Sequence, residues 1–219
     1  MQKVGLLFQK EWDIPVYLGN DANCAVIGEY HAGAAKGAES VLMVTLGTGI
    51  GGGFVYKGKL FEGRYHGAME IGHMIIEKNG KRCSCGNHGC FEQYASATGI
   101  VRLANRRLAK DDAPSVLRSG EVSAKTVWDA VKAGDALAVQ VAEQFGEYLG
   151  KALGVIAGIV NPEIIVIGGG VSKAGEILFD YIRPYFEKTV FSGCKDARLA
   201  LATLGNDAGI FGAAKLMME

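Results

Sequence analysis

Residues 41–56 read VLMVTLGTGIGGGFVY. Val41 to Leu46 is a continuous apolar run of strand length, the pattern of a strand buried on both faces. It passes directly into Gly47-Thr48-Gly49-Ile50-Gly51-Gly52-Gly53 and then a second short strand, Phe54-Val55-Tyr56. The spacing predicts a β-hairpin whose turn is nearly all glycine with one hydroxyl. Such a turn presents backbone N–H groups to a phosphate without interference from Cβ, and Thr48 adds a hydroxyl. It is not a Walker loop, lacking Gly-Lys-Ser/Thr, and no helix opens after it to make a dinucleotide fingerprint. Taken alone, a purely structural hairpin explains it as well.

Working outward, Val16-Tyr17-Leu18 reads as a short strand ending in Gly19-Asn20-Asp21, followed by a helix over Ala22–Ala35 broken at Gly33. That order places Asn20 and Asp21 at the carboxyl end of a strand, where open α/β sheets bind ligands. Asp21 also suits the helix N-cap. Beyond residue 96 the pattern predicts helices over 97–110 and 123–133, the second capped by Ser123, with a loop around Pro114 between them. A long helix over 135–160, capped by Asp135, carries Leu137, Val141, Phe145, Leu149, Leu153 and Ile156 as one apolar stripe. Asn161-Pro162 stops it. Residues 163–167, EIIVI, form another buried strand, followed by Gly168-Gly169-Gly170 and a helix from about 173 to 188 that Pro184 kinks or splits. A last strand over 199–203 precedes a closing helix from Asn206, whose small residues permit close packing. Strands alternating with helices argue an α/β architecture.

Residues 67–95, GAMEIGHMIIEKNGKRCSCGNHGCFEQYA, hold His73, Cys83, Cys85 and Cys90 among turn-forming residues, with Glu70 before the histidine and Glu92 after the last cysteine. Three thiolates and an imidazole make a Cys₃His set that closes a tetrahedral zinc site. The spacing is not that of a zinc finger, so a structural clip is the expectation. Cys24 and Cys194 remain, in contexts that suit buried free thiols, and the pattern fits a reducing cytoplasm. Lys+Arg and Asp+Glu balance at 23 each, which gives no overall attraction to nucleic acid or an anionic membrane. The N-terminal apolar run is too short for a signal peptide, and no stretch is long enough to span a bilayer.

Taken together, LGNDANCAVIGE, LGTGIGGG, EIGH followed by CSCGNHGCFE, IVIGGGVS and the closing NDAGIFGAA resemble the ROK sugar kinases, glucokinases most closely. The likeness runs through nearly the whole chain in order. It implies the actin-like ATPase (hexokinase-type, ribonuclease H-like) fold, here mainly its C-terminal lobe. Residues 1–35 would be a remnant of the N-terminal lobe with the interdomain helix, 36–205 the C-terminal lobe, and 206–219 a terminal helix returning to the first lobe. The resemblance makes Asp21 the catalytic base, and Asn20, Asp21, Glu70, His73 and Glu92 the sugar ligands, with His73 also on the zinc. It assigns nucleotide binding to Gly47, Thr48, Gly49 and Gly51 of one loop and Gly168, Gly169 and Gly170 of another. The implied reaction is ATP-dependent phosphorylation of a hexose, glucose to glucose 6-phosphate, the entry to glycolysis. Mg²⁺ would accompany ATP, the zinc would be structural, and the protein would be a cytoplasmic homodimer.

Two departures stand out. The family opens with a strand and an Asp-x-Gly-Gly-Thr phosphate loop, and no such segment precedes Asn20, an expected shortfall on the order of 100 residues, about one small domain. The isolated chain is therefore expected to turn over weakly or not at all. Met69 stands where the family usually has glycine before the glutamate. A sugar-responsive repressor of the same family, or a catalytically silent sugar-binding remnant, are the alternatives.

Overall fold

The apolar runs become the middle of a sheet. A computed structural model describes residues 2–218. Along the chain run α1 (Gln2–Trp12), α2 (Asp21–Ala32), β1 (Ser40–Leu46), β2 (Ile50–Tyr56), β3 (Lys59–Leu60), α3 (Glu92–Ala95), α4 (Ala97–Leu108), α5 (Ala124–Lys132), α6 (Ala136–Val160), β4 (Ile164–Gly168), α7 (Ile177–Thr189), β5 (Arg198–Leu201) and α8 (Ala208–Leu216). The sheet order is β3-β2-β1-β4-β5. The β1–β2 and β2–β3 pairs are antiparallel, while β4 runs parallel to both β1 and β5.

Side-chain alternation assigns each face of β1 and β4 its own helical layer. Leu42, Val44, Leu46, Ile165 and Ile167 pack towards the layer built from α4 to α7. Val41, Met43, Ile164 and Val166 pack with Ala25 and Val26 of α2 and Ala208 of α8. Both faces are covered, as the unbroken apolar runs predict. All six stripe residues of α6 are buried. Pro184 lies inside α7 without splitting it. It and Asp180 are exposed, so the carbonyl deprived of its donor faces water. The small residues of α8 do allow a close approach: a Cβ on Gly212 would lie 1.7 Å from the Cys24 carbonyl oxygen on α2.

Three expectations need correction. Val16–Leu18 is not a strand: it has no regular secondary structure and joins no ladder among the described residues. The cap of α2 is Asn20, not Asp21: its Oδ1 accepts from the amides of Ala22 and Asn23 at 2.9 and 3.2 Å. Gly51, Gly52 and Gly53 belong to β2, opposite Thr45, Val44 and Met43, and the turn is only Gly47-Thr48-Gly49. Glycine serves crossing chain there rather than a loop, since a Cβ on Gly52 would sit 2.5 Å from the Met69 carbonyl and one on Gly53 2.6 Å from Val26 Cγ1. The first residues, given no secondary structure from their pattern, form α1, in which Phe8 stacks on Trp12 at 4.7 Å.

Asp135 shows how a helix start is fixed. Its carboxylate accepts from the amides of Leu137, Ala138 and Val116 and from the Ser115 hydroxyl. Burial pushes its pKa up, but those donors outweigh it and hold the carboxyl below its usual range. A depressed folded pKa stabilises above the unfolded value and is lost as pH falls through the folded one. Asp135→Ala is therefore expected to cost about 1–2 kcal/mol in urea unfolding at neutral pH. The deficit should shrink in acid, below pH about 4.

Candidate active site

The carboxyl ends of β1 and β4 meet at one edge, where Thr45 pairs with Gly168. A cavity of about 460 Å³ opens there, lined by Asn20, Asp21, Thr45, Gly47, Thr48, Gly49, Gly51, Gly52, Glu70, Glu92 and Gly169, with Ala22 and Ile50. The structure thus gathers Asn20, Asp21, Glu70 and Glu92 with most of the first glycine turn. From the second glycine group only Gly169 reaches the wall. Gly168 ends β4, and Gly170 opens a 3₁₀ turn. His73 belongs to the cysteine cluster and does not line the cavity.

Each wall has a local cause. Asn20 spends its carbonyl oxygen on the helix cap, which leaves its amide NH₂ as the free donor. Asp21, first residue of α2, is exposed, and its Oδ1 accepts from the Ala22 amide at 2.9 Å. A carboxylate at a helix start is favoured by the helix dipole. Cys24, one turn along, is buried, and burial first and Asp21 second push its thiol up. The turn at Gly47–Gly49 is pinned twice: the Ala97 amide donates to the Gly47 carbonyl, and the Thr98 hydroxyl to the Thr48 carbonyl. The Gly47 amide closes the turn onto Gly49, so it is not free for a ligand. Glu70 begins a 3₁₀ turn over Ile71–His73. Met69, just before it, sits at φ 63, the left-handed conformation glycine adopts without cost.

Behind this wall lies the cluster. The ligand atoms of His73, Cys83, Cys85 and Cys90 all fall within 4.8 Å of one another. His73 Nδ1 is 3.6 Å from Cys83 Sγ, and the sulfurs of Cys85 and Cys90 are 3.5 Å apart. Tetrahedral ligands about 2.3 Å from zinc are separated by about 3.8 Å, so the donor set fits that ion in type and spread. Single bridges Ile75–Cys90 and Arg82–His88 hold the loop, and Gly89, at φ 83, passes so close to Glu77 that a Cβ would lie 1.8 Å from its carbonyl oxygen. In the metal-free thiols, burial and the neighbouring sulfurs push Cys90 up to about 12, while the Asn87 backbone lowers exposed Cys85.

One contact joins cluster and cavity. Cys83 Sγ donates to Glu92 Oε1 at 3.1 Å, and Gln93 Nε2 donates to the same oxygen at 3.2 Å. The other oxygen of Glu92 turns towards the glycine turn, where a Cβ on Gly49 would lie 2.7 Å from it. Sequence reading missed this link, since Cys83 and Glu92 are nine positions apart. It also missed Thr45 as a wall residue, although Thr45 is the single polar side chain in the VLMVTL run.

A profile of the ROK family matches residues 3–219. A glucokinase of Halalkalibacterium halodurans is 42% identical over 217 residues, which cover 96% of this chain and 66% of that protein. The crystal structure of a ROK glucokinase from Streptomyces griseus, in complex with glucose and AMPPNP, superposes with a TM-score of 0.87 at 36% identity, over 97% of this chain and 71% of that one. The DNA-binding transcriptional repressor Mlc of Escherichia coli is 34% identical over 82% of this chain and 44% of its own length. This chain therefore spans about two thirds of the glucokinase it resembles. With a match from residue 3 to residue 219 on this sheet order, the chain belongs to the ROK family and has the actin-like ATPase fold.

Proposed function

We propose that this chain is the sugar-binding and metal-bearing lobe of an ATP-dependent hexose kinase acting on glucose. The observation that carries the reading is the convergence of Asn20, Asp21, Glu70 and Glu92 with a glycine turn on one cavity. A sugar offers hydroxyls at fixed positions; the Asn20 amide and the Glu70 and Glu92 carboxylates are the donors and acceptors that read them, and Asp21 is the carboxylate for the hydroxyl that reacts. Identity is higher to the glucokinase than to the repressor, over more of the relative's length, which supports the kinase reading. Residues 1–35 and 206–219 are read as the part that leads to the other lobe, and 36–205 as this lobe.

In the reaction Asp21 takes the proton from the glucose 6-hydroxyl as its oxygen attacks the γ-phosphorus of ATP. The bond from that phosphorus to the β–γ bridging oxygen breaks, and ADP leaves. The glycine turn, Thr48 and Gly169 border the phosphate side, and a divalent cation accompanying ATP supplies charge neutralisation. Gly168 and Gly170 shape the loop around Gly169. His73, Cys83, Cys85 and Cys90 would hold zinc as a closed structural site, so the metal fixes the loop that carries Glu92. Keeping those thiols reduced fits the cytoplasm, and a homodimer accords with the family resemblance.

Calorimetric titration with glucose tests the sugar site. Glu92→Gln and Glu70→Gln are each expected to weaken binding by about tenfold or more, since a hydrogen bond to a charged group is worth about 1.5–3 kcal/mol. Absence of glucose binding by the parent chain, or equal affinity in both variants, overturns the reading.

A further inference from the structure

Behind the zinc-type loop lies a cleft of about 650 Å³, separate from the sugar-side cavity and larger than it. Lys78 and Lys81 reach it from the turn at 77–81, and Arg102 and Arg106 from α4. Glu77 is the one carboxylate on its wall. Four cations face one anion here, in a chain whose formal net charge is zero. Among the described residues every ion pair lies elsewhere, and none of the four cations has a carboxylate partner. Arg102 and Arg106 stand one helical turn apart, where like charges destabilise a helix unless something compensates them.

The cleft is also built rather than merely charged. Tyr94 and Tyr148 pack with ring centroids 4.8 Å apart. The Tyr94 hydroxyl accepts from the Lys81 amide at 2.8 Å, and the Tyr148 hydroxyl donates to Glu77 at 3.4 Å, so both rings are tied to the lysine-bearing turn. Half-buried Arg102 donates from Nη1 to the Gln93 carbonyl, which fixes its guanidinium at the wall.

We propose that this cleft is a second small-molecule site, one that takes a phosphorylated anion bearing two or more negative charges. A concave wall of one sign focuses potential and raises the local concentration of such an anion. The volume suits a phosphorylated metabolite, and Arg102 and Arg106 present forked donors that match phosphate oxygens. Glu92 lines the first cavity and Gln93 the second, so α3 separates the two. The site goes beyond the kinase reading and stands or falls independently of it.

The test is an NMR titration of the ¹⁵N-labelled full chain with inorganic pyrophosphate at constant ionic strength. Saturable shifts are expected at the amides of Gly80, Lys81 and Gln93. The double variant Lys81→Ala/Arg106→Ala should weaken them at least tenfold while the rest of its spectrum is unchanged. Lys78→Glu, at an exposed turn position, should act the same way and serves if the double variant misfolds. Shifts confined to Gly47, Thr48 and Gly49 would place the anion in the sugar-side cavity and overturn the proposal. Equal affinity in the variants, or the same shifts with sodium chloride in place of pyrophosphate, would overturn it too.

Discussion

Asp21→Asn is expected to lower kcat for glucose phosphorylation by about 10²–10⁴-fold while glucose affinity stays within about threefold. Asparagine is the informative replacement. Asp21 Oδ1 accepts from the Ala22 amide at 2.9 Å, and the carboxamide oxygen can keep that bond. Asn20 still caps α2, so the helix start and the cavity wall survive. What disappears is the ability to take a proton from the attacking hydroxyl. A loss of kcat without loss of affinity is the signature of an interaction made in the transition state alone. Undiminished turnover would remove Asp21 as the base. The assay is best run on the protein as its native source makes it, since this chain covers 66% of the glucokinase it matches.

Cys90→Ser is expected to take the zinc content from about one per chain to near zero, and to lower the melting temperature. Cys90 is fully buried, its sulfur is 3.5 Å from that of Cys85, and its residue forms the isolated bridge to Ile75. A hydroxyl in its place is a poor ligand for zinc and a polar group in a buried setting. Residues 61–91 hold no regular element beyond a 3₁₀ turn and two isolated bridges, so the metal would reinforce a loop otherwise held by scattered backbone bonds such as Gly89 N–H to the Lys81 carbonyl and Phe91 N–H to the Met74 carbonyl. Cys194→Ser is the control: that thiol is buried but outside the cluster, so the variant should keep its zinc. Equal zinc content in Cys90→Ser and the parent would remove the cluster as a metal site.

The parts of the fold legible in the sequence were those governed by local rules. Continuous apolar runs gave β1 and β4, Ser123 and Asp135 announced α5 and α6, and Asn161-Pro162 ended the latter. What escaped depends on contacts between distant segments. Gly51 to Gly53 look like a turn, yet they pair with Thr45, Val44 and Met43 as strand, and they are glycine because α2 and Met69 cross them too closely for a Cβ. Glu29 looks like any helical glutamate, yet it is fully buried and accepts from the Ala34, Thr203 and Leu204 amides, tying α2 to the segment before α8. The candidate site was readable as a set of residue types in order. The direct contact of Cys83 with Glu92 was not, since nothing in a one-dimensional pattern reports which cysteine touches which carboxylate.

That contact brings the cluster beside the sugar side, but zinc would deprotonate Cys83, so the metal would hold Glu92 through the loop that carries both residues. Glucose titration of zinc-loaded and zinc-free protein probes that hold directly. The account predicts that stripping zinc, by chelator or in Cys90→Ser, weakens glucose binding about tenfold or more, the scale on which supporting shells act on a site. Equal affinity in the zinc-free protein would contradict it, and would leave Glu92 held in place by something other than the cluster.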